Sequence, residues 1–145
     1  MEHIIYQQNK KAESIKLYFL FGCIIIMIIL ATLLVALKGN VADALFIIPL
    51  YLAGGVAYFL FKEFIDYGAD ITISSTGIVI NEKIIAKDNL IDVGQCKNRH
   101  LIYFIINENG KETKYVGFNR FTHKELLILN DKTELIEKIK KIMNQ

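Results

Sequence analysis

The sequence has only two cysteines, and they lie in parts of the chain with different character, so they do not form a disulfide framework. Cys23 lies inside a long apolar run, and Cys96 lies in the polar C-terminal part of the chain. Small disulfide-stabilised scaffolds carry several paired cysteines, so that class is excluded. Cys96 has only His100 and His123 as further soft ligands in this part, so a tetrahedral zinc site would lack its fourth ligand. We therefore predict no metal site and no cofactor.

The C-terminal part also lacks an excess of either charge. Residues 63–145 contain twelve Lys plus Arg and twelve Asp plus Glu, so the net charge of +2 comes from the N-terminal side. Nucleic-acid-binding domains normally carry a basic stripe, so nucleic acid is not an expected partner. No glycine-rich phosphate loop and no nucleophile with an orienting base is recognisable in the sequence. We therefore predict no catalytic residues and a protein that is not an enzyme.

Charge is absent from two long apolar runs, residues 17–37 and residues 44–61. About 20 apolar residues cross the hydrocarbon core of a bilayer, so the first run is long enough and the second is near the lower limit. The first run also exceeds the ~7–15 residues of a signal-peptide core. The runs therefore predict two transmembrane helices. Because neither run contains an ionisable Asp, Glu, Lys, Arg or His, we do not expect a transport pathway.

Lysines near the ends of the two runs indicate their orientation. The connecting segment, residues 38–43, has six residues and a single lysine, so the helices must form an antiparallel hairpin. Basic residues outside this segment favour cytoplasmic ends. We therefore predict an inner-membrane, multi-pass protein with both termini in the cytoplasm. The lysines outside the connecting segment are Lys10, Lys11, Lys16 and Lys62.

Small side chains occur on both predicted membrane helices. Such residues allow two helix backbones to approach closely, so they predict a helix-packing interface. The alternative interpretation is that small residues are frequent in membrane helices in general. The candidate packing residues are Gly22, Ala31, Ala53, Gly54 and Ala57.

Short β-branched runs separated by polar turns follow the second span. Asn109-Gly110 predicts a two-residue type I′ hairpin turn, because both residues tolerate a positive φ. Residues 126–129 are ambiguous between a last strand and an early start of the final helix, and we favour a strand. The other predicted strands are 70–74, 77–81, 83–87, 90–96, 100–106 and 113–118.

The chain ends with a predicted amphipathic helix. Asp131 is a candidate N-cap with Glu134 three residues later, which is a capping-box pattern. Leu135, Ile136, Ile139, Ile142 and Met143 then recur at helical spacing, and this apolar stripe needs a sheet to cover it. The predicted fold class is α+β: a two-helix transmembrane hairpin, then a small antiparallel β-sheet or barrel closed by a C-terminal α-helix. Residues 1–66 are the predicted tail and hairpin, and 67–145 the cytoplasmic domain.

This order of elements resembles the bacterial pleckstrin-homology-like (PH-like), YcxB-like membrane proteins. The resemblance implies a curved sheet capped by the helix, and a binding or regulatory role at the inner membrane face without catalysis. Lipid-binding members of the wider group use basic residues around the first hairpin, and residues 74–77 carry none, so phosphoinositide recognition is not expected. The matching pieces are Ile71-Thr72-Ile73-Ser74 with Gly77-Ile78-Val79-Ile80, Leu90-Ile91-Asp92-Val93, and the helix at 133–143.

Two basic segments contain the candidate ligand-binding residues. If the segments meet at one end of the sheet, they form a patch suited to lipid headgroups or a nucleotide. The alternative, which we favour, is two solvated loops with ordinary surface charge. The residues are Lys97, Arg99, His100, Arg120, His123 and Lys124.

Three functions fit these observations. The leading hypothesis is a non-enzymatic, membrane-anchored binding or regulatory protein that contacts lipids and engages another protein or its own copies. The second is an immunity or resistance protein against a toxin or bacteriocin. The third is a membrane effector of antiphage defence that is gated by a cyclic nucleotide. A toxin or a nucleotide cyclase among the genomic neighbours would discriminate between them.

Overall fold

The computed structural model describes residues 4–39, 45, 47–119 and 134–143. The chain divides into two compact units. The hairpin unit is Lys11–Lys62, and the sheet unit combines Met1–Lys10 with Glu63–Gln145. The predicted boundary between the two domains lies between residues 66 and 67. The observed division differs from it, because the residues before the hairpin belong to the sheet unit.

There are two long helices, α1 (Lys10–Lys38) and α2 (Ile47–Tyr67). Helix α1 contains the first apolar run, and α2 contains residues 47–61 of the second. Both are candidates for crossing a membrane by length and composition. Large apolar side chains such as Phe19 and Phe59 are about three-quarters exposed, at 74% and 75%. A helix with apolar residues on all sides and no protein cover is suited to a lipid environment.

Half-buried residues recur along each helix of the hairpin unit at alternating spacings of three and four. This is the periodicity of two helices that pack along one seam. A Cβ added at Gly54 would lie 3.4 Å from Cγ2 of Ile24, which is ordinary van der Waals contact between the helices. The seam residues are Phe21, Ile24, Ile28, Ala31 and Val35 in α1, and Ile47, Leu50, Gly54, Ala57 and Phe61 in α2.

The sheet unit contains two antiparallel sheets and a C-terminal helix, which confirms the α+β class. Sheet A has the strand order β1-β2-β3-β4, and sheet B has the order β5-β6-β7. Each of the six strands predicted after the second span corresponds to an observed strand. The elements are β1 (Ile4–Gln8), β2 (Ile71–Ser74), β3 (Ile78–Ile80), β4 (Lys83–Ile85), β5 (Leu90–Gln95), β6 (Leu101–Glu108), β7 (Lys111–Phe118) and α3 (Glu134–Met143).

Strand β1 is absent from the sequence prediction. It pairs antiparallel with β2, so that Gln8 lies opposite Ile71. Within β1 Tyr6 and Gln8 are buried whereas Gln7 is exposed. The alternation is that of a strand, but a glutamine occupies a buried position and hides the apolar pattern. The hairpin is therefore inserted between two strands that are neighbours in one sheet.

The Asn109-Gly110 turn is confirmed. Glu108 pairs with Lys111, so the loop between β6 and β7 has two residues. Their φ angles are 54° at Asn109 and 84° at Gly110, as a type I′ turn requires. The side chain of Asn107 supports the turn by accepting a 2.8 Å hydrogen bond from the Gly110 N–H.

One hydrophobic core joins both sheets and helix α3. In α3 Leu135, Ile136 and Ile139 are buried whereas Glu137 and Lys138 are exposed, so the amphipathic helix is confirmed. The predicted strand at 126–129 and the predicted cap Asp131 lie outside the described residues. The core residues are Tyr6, Ala69, Ile71, Ile73, Ile78, Ile80, Ile85, Leu90, Val93, Ile102, Phe104, Ile106, Leu135, Ile136 and Ile139.

A buried glutamine connects the two sheets. Gln8 is 5% exposed, and its Nε2 donates to the carbonyl oxygens of Ala69, at 2.8 Å, and Val116, at 3.3 Å. Its Oε1 accepts a 2.7 Å hydrogen bond from the Phe118 N–H. Because Ala69 precedes β2 and the other two partners lie on β7, one side chain satisfies backbone groups of both sheets.

Tyr6 completes this network. Its hydroxyl lies 2.9 Å from Oε1 of Gln8 and 2.8 Å from the carbonyl oxygen of Phe118. A Cβ added at Gly117 would collide with this hydroxyl and lie 3.1 Å from Oε1 of Gln8. Glycine at position 117 therefore makes room for the network.

Replacing Gln8 by Leu should destabilise the sheet unit by about 2–4 kcal/mol, because buried backbone donors and acceptors lose their partners. Thermal or urea unfolding of the full chain in detergent micelles, followed by circular dichroism, measures this effect. Gln7→Leu is the matched control, because Gln7 is exposed on the same strand. An equal loss of stability in both variants would contradict a structural role for the Gln8 amide.

Candidate functional site

The first half of the predicted basic patch lies in the turn between β5 and β6. Lys97, Arg99 and His100 are all exposed in this turn. The turn is closed by a 2.9 Å hydrogen bond from the Cys96 N–H to the Leu101 carbonyl oxygen. These three side chains are therefore held on a short, backbone-bonded loop.

The second half of the patch, Arg120, His123 and Lys124, lies outside the described residues. Its neighbour Asn119 is described and donates its backbone N–H to the carbonyl oxygen of His100 at 2.8 Å. The structure therefore brings the end of β7 to the β5–β6 turn, immediately before Arg120.

The predicted helix-packing residues occupy different positions in the hairpin unit. Ala31, Gly54 and Ala57 lie on the half-buried seam, whereas Ala53 is exposed. Gly22 is half-buried, but no atom lies within 4 Å of the position that a Cβ would occupy there. Of the two glycines, Gly54 therefore contacts the other helix and Gly22 does not.

A polar cluster on sheet B was not predicted from the sequence. Phe104 and Val93 point into the core, so their neighbours Tyr103 and Asp92 point to the opposite face of the sheet. The last turns of α2, which belong to the sheet unit, contact this opposite face. We define the outer cluster as Glu63, Tyr67, Asp92, Cys96, Tyr103 and Lys114.

An ion pair lies at the centre of the outer cluster. The Nζ of Lys114 is 2.7 Å from Oε2 of Glu63, and the two side chains are 36% and 28% exposed. The same Nζ lies 5.4 Å from the ring centre of Tyr67 and 5.8 Å from that of Tyr103. Both distances are within the range of cation–π attraction. The cluster thus places two opposite charges between two aromatic rings at the surface.

Electrostatics keeps the Lys114 amine charged. Burial alone would lower its pKa, but the hydrogen bond that Lys114 donates to Glu63 and the negative charge of Glu63 outweigh burial, so the pKa of Lys114 is raised. The ion pair is therefore present at neutral pH. Since both partners are partly exposed, solvent screens the pair, and its net contribution to stability is about 0–1 kcal/mol.

The Tyr103 ring is fixed by its surroundings. Its hydroxyl donates a 2.9 Å hydrogen bond to Oδ2 of Asp92, and this bond, with burial, raises the pKa of Tyr103. Gly94 is the register partner of Tyr103 on β5. A Cβ added at Gly94 would collide with the tyrosine ring and hydroxyl. Gly94 therefore allows the ring to lie flat across the neighbouring strand.

Cys96 is a protonated thiol in this environment. Burial raises the pKa of the Cys96 thiol to about 12, and the hydrogen bond to Glu63 and its negative charge add to this effect. A nucleophilic cysteine must be a thiolate. At neutral pH the Cys96 side chain is therefore an uncharged thiol beside Glu63.

The chemistry of the outer cluster suits recognition of a ligand that carries both charges. Glu63 offers a carboxylate, Lys114 an ammonium group, and two tyrosines offer aromatic faces. Within the described ranges no three His, Cys, Asp or Glu side chains come together as a metal site.

The outer cluster has no local sequence signature. Glu63 and Lys114 are separated by 51 residues and become neighbours only through the course of sheet B. The alternation in β5 and β6 assigns Asp92 and Tyr103 to one face of the sheet. Whether the two side chains meet depends on the register of the strands, which shifts between Leu90 and Asp92. The sequence therefore shows the individual polar residues but does not predict that they form a cluster.

Comparison of the chain with protein-family models, curated proteins and solved structures finds no match. The resemblance to PH-like, YcxB-like membrane proteins therefore stays a proposal. The function is therefore inferred from the geometry of the described residues.

Iodoacetamide should alkylate Cys96 at pH 8 roughly 100-fold more slowly than an exposed cysteine, because almost no thiolate is present. The measurement uses the full chain with Cys23→Ala in detergent. The control carries Asp88→Cys with both native cysteines replaced by Ala, since Asp88 is exposed. The Cys96 rate should keep rising with pH beyond 10, whereas the control reaches a plateau. Similar rates at pH 8 would contradict the assigned protonation state.

Proposed function

We propose that this chain is a non-enzymatic binding protein of the bacterial inner membrane, with a PH-like domain anchored by a transmembrane hairpin. The observation that carries the proposal is the pairing of β1 with β2 on either side of the hairpin. The domain and its anchor are therefore not two modules in series. The anchor is an insertion within the domain.

This insertion supports a hairpin topology for the anchor. Gln8 pairs with Ile71, and the Lys10 N–H donates a 2.6 Å hydrogen bond to Oδ1 of Asp70. The last residues of the sheet unit before the hairpin are thus held beside the start of β2, which follows the hairpin. This arrangement supports an anchor whose two ends lie on one side of the membrane. The lysines that flank the hairpin favour the cytoplasmic side.

The architecture of the sheet unit supports the PH-like part of the proposal. The resemblance implies a curved antiparallel sheet capped by a C-terminal helix. Two antiparallel sheets with one common core, closed by α3, agree with that expectation. The insertion between β1 and β2 is compatible with this fold, because a hairpin occupies one loop and leaves strand pairing unchanged.

The surface of the sheet unit supports a binding role. The β5–β6 turn exposes three potential cations, and the outer cluster exposes a charge pair beside Tyr67, which is 48% exposed. The buried Cys96 is held as a thiol by its raised pKa. We propose membrane lipids and either another protein or a second copy of the chain as partners.

Cysteine labelling in cells tests the proposed topology. Asn40→Cys and Asp88→Cys are introduced singly into the chain with both native cysteines replaced by Ala. A membrane-impermeant maleimide should label Asn40→Cys in intact spheroplasts and Asp88→Cys only after permeabilisation, because the proposed topology has the loop between the two spans outside the cytoplasm and the sheet unit inside it. Labelling of Asp88→Cys in intact spheroplasts would contradict a cytoplasmic domain.

Affinity purification tests the binding role. The tagged full chain, extracted in mild detergent, should retain a second copy or a stoichiometric protein after dilution and size-exclusion chromatography. An unrelated two-span protein with the same tag serves as the control for non-specific capture. A monomeric chain without a co-purifying protein, after cross-linking in intact membranes as well, would count against protein binding or self-association.

A further inference from the structure

The outer cluster begins where the second apolar run ends. The run ends at residue 61, and Glu63 follows two residues later on the same helix. If the hairpin spans the membrane as proposed above, Glu63 and Tyr67 lie at the level of the lipid headgroups. This inference therefore rests on the proposed membrane anchoring.

The charges of the outer cluster are arranged as a dipole. The Lys114 ammonium group lies 2.7 Å from the Glu63 carboxylate and 5.4 Å from the centre of the Tyr67 ring. Lys97, which directly follows Cys96 of the cluster, is a further exposed cation.

We propose that the outer cluster binds the zwitterionic headgroup of an ethanolamine phospholipid. Glu63 receives the primary ammonium group, and Lys114, which the Tyr67 ring holds by a cation–π contact, receives the phosphodiester. The headgroup dipole is then antiparallel to the Glu63–Lys114 dipole, so each charge meets its opposite.

The residue types discriminate between lipid headgroups. A primary ammonium group donates hydrogen bonds to a carboxylate, whereas the quaternary ammonium of choline cannot. An anionic glycerol headgroup offers no cation to Glu63, so only its phosphodiester can pair with the cluster. The Glu63–Lys114 pair is partly exposed, so sharing it with a ligand costs little. Ethanolamine is therefore the headgroup that this cluster fits best.

Lipid binding is measured with the full chain in mild detergent. Native mass spectrometry records the retention of added dihexanoyl lipids that carry ethanolamine, choline or glycerol headgroups. The ethanolamine lipid should bind most tightly. Glu63→Gln and Lys114→Ala should each weaken its binding roughly tenfold or more, as expected for a lost charged hydrogen bond. Equal retention of all three lipids by the native chain would overturn the proposal.

Matched variants separate binding from folding. Glu112→Gln and Lys111→Ala change exposed residues of the same charge on β7 and should leave lipid retention unchanged. Tyr67→Phe keeps the aromatic face and should bind like the native chain, whereas Tyr67→Leu should bind several-fold more weakly. A melting temperature for each variant identifies any that has lost its fold. Weakening by the control variants to the same extent would overturn the assignment to the outer cluster.

A soluble ligand with the same chemistry is the remaining test. Glycerophosphoethanolamine should bind at least tenfold more weakly than the lipid, because it lacks the acyl chains. Equal binding of the soluble compound would overturn the lipid assignment. If the lipid experiment shows no headgroup selectivity, the cysteine-labelling result is unaffected. Failure of the lipid proposal is therefore distinguishable from failure of the proposed anchoring.

Discussion

Strand β1 pairs with β2 across an insertion of two long apolar helices, and Gln8 at the end of β1 extends that pairing to sheet B. The two sheets are hydrogen-bonded to each other through the Gln8 side chain. Without β1, sheet A would lose an edge strand, and the backbone groups that Gln8 satisfies on β7 would be buried without partners. A glutamine serves here because one amide group supplies both donors and an acceptor.

The same junction links the fold to the proposed function. The chain leaves the sheet unit beside the junction, where the Lys10 N–H is hydrogen-bonded to Asp70. Asp70 is itself held by Asn81, which exchanges two hydrogen bonds with it, of 2.9 Å and 3.1 Å. The backbone just before the proposed anchor is therefore hydrogen-bonded to the residue that precedes β2.

Sheet B contacts a helix on each of its two faces. One face lies in the core with α3, and the last turns of α2 contact the other, where the Phe64 and Phe118 rings are 4.7 Å apart. The polar residues of that second face gather at its exposed margin, around Glu63 and Lys114. Burial of the rest of the face gives this margin a defined geometry, which the proposed recognition of a zwitterionic headgroup requires.

The amino-acid sequence by itself determined the elements that depend on local patterns. The charge-free runs specify long apolar helices, Asn109-Gly110 specifies its turn through positive φ, and the spacing from Leu135 to Ile139 specifies α3. Only the tertiary structure decided that Ile4–Gln8 is a strand and that Glu63 meets Lys114. Those features join segments that are 51 or more residues apart, and no local propensity encodes which distant backbone groups a buried glutamine satisfies or which lysine a carboxylate meets.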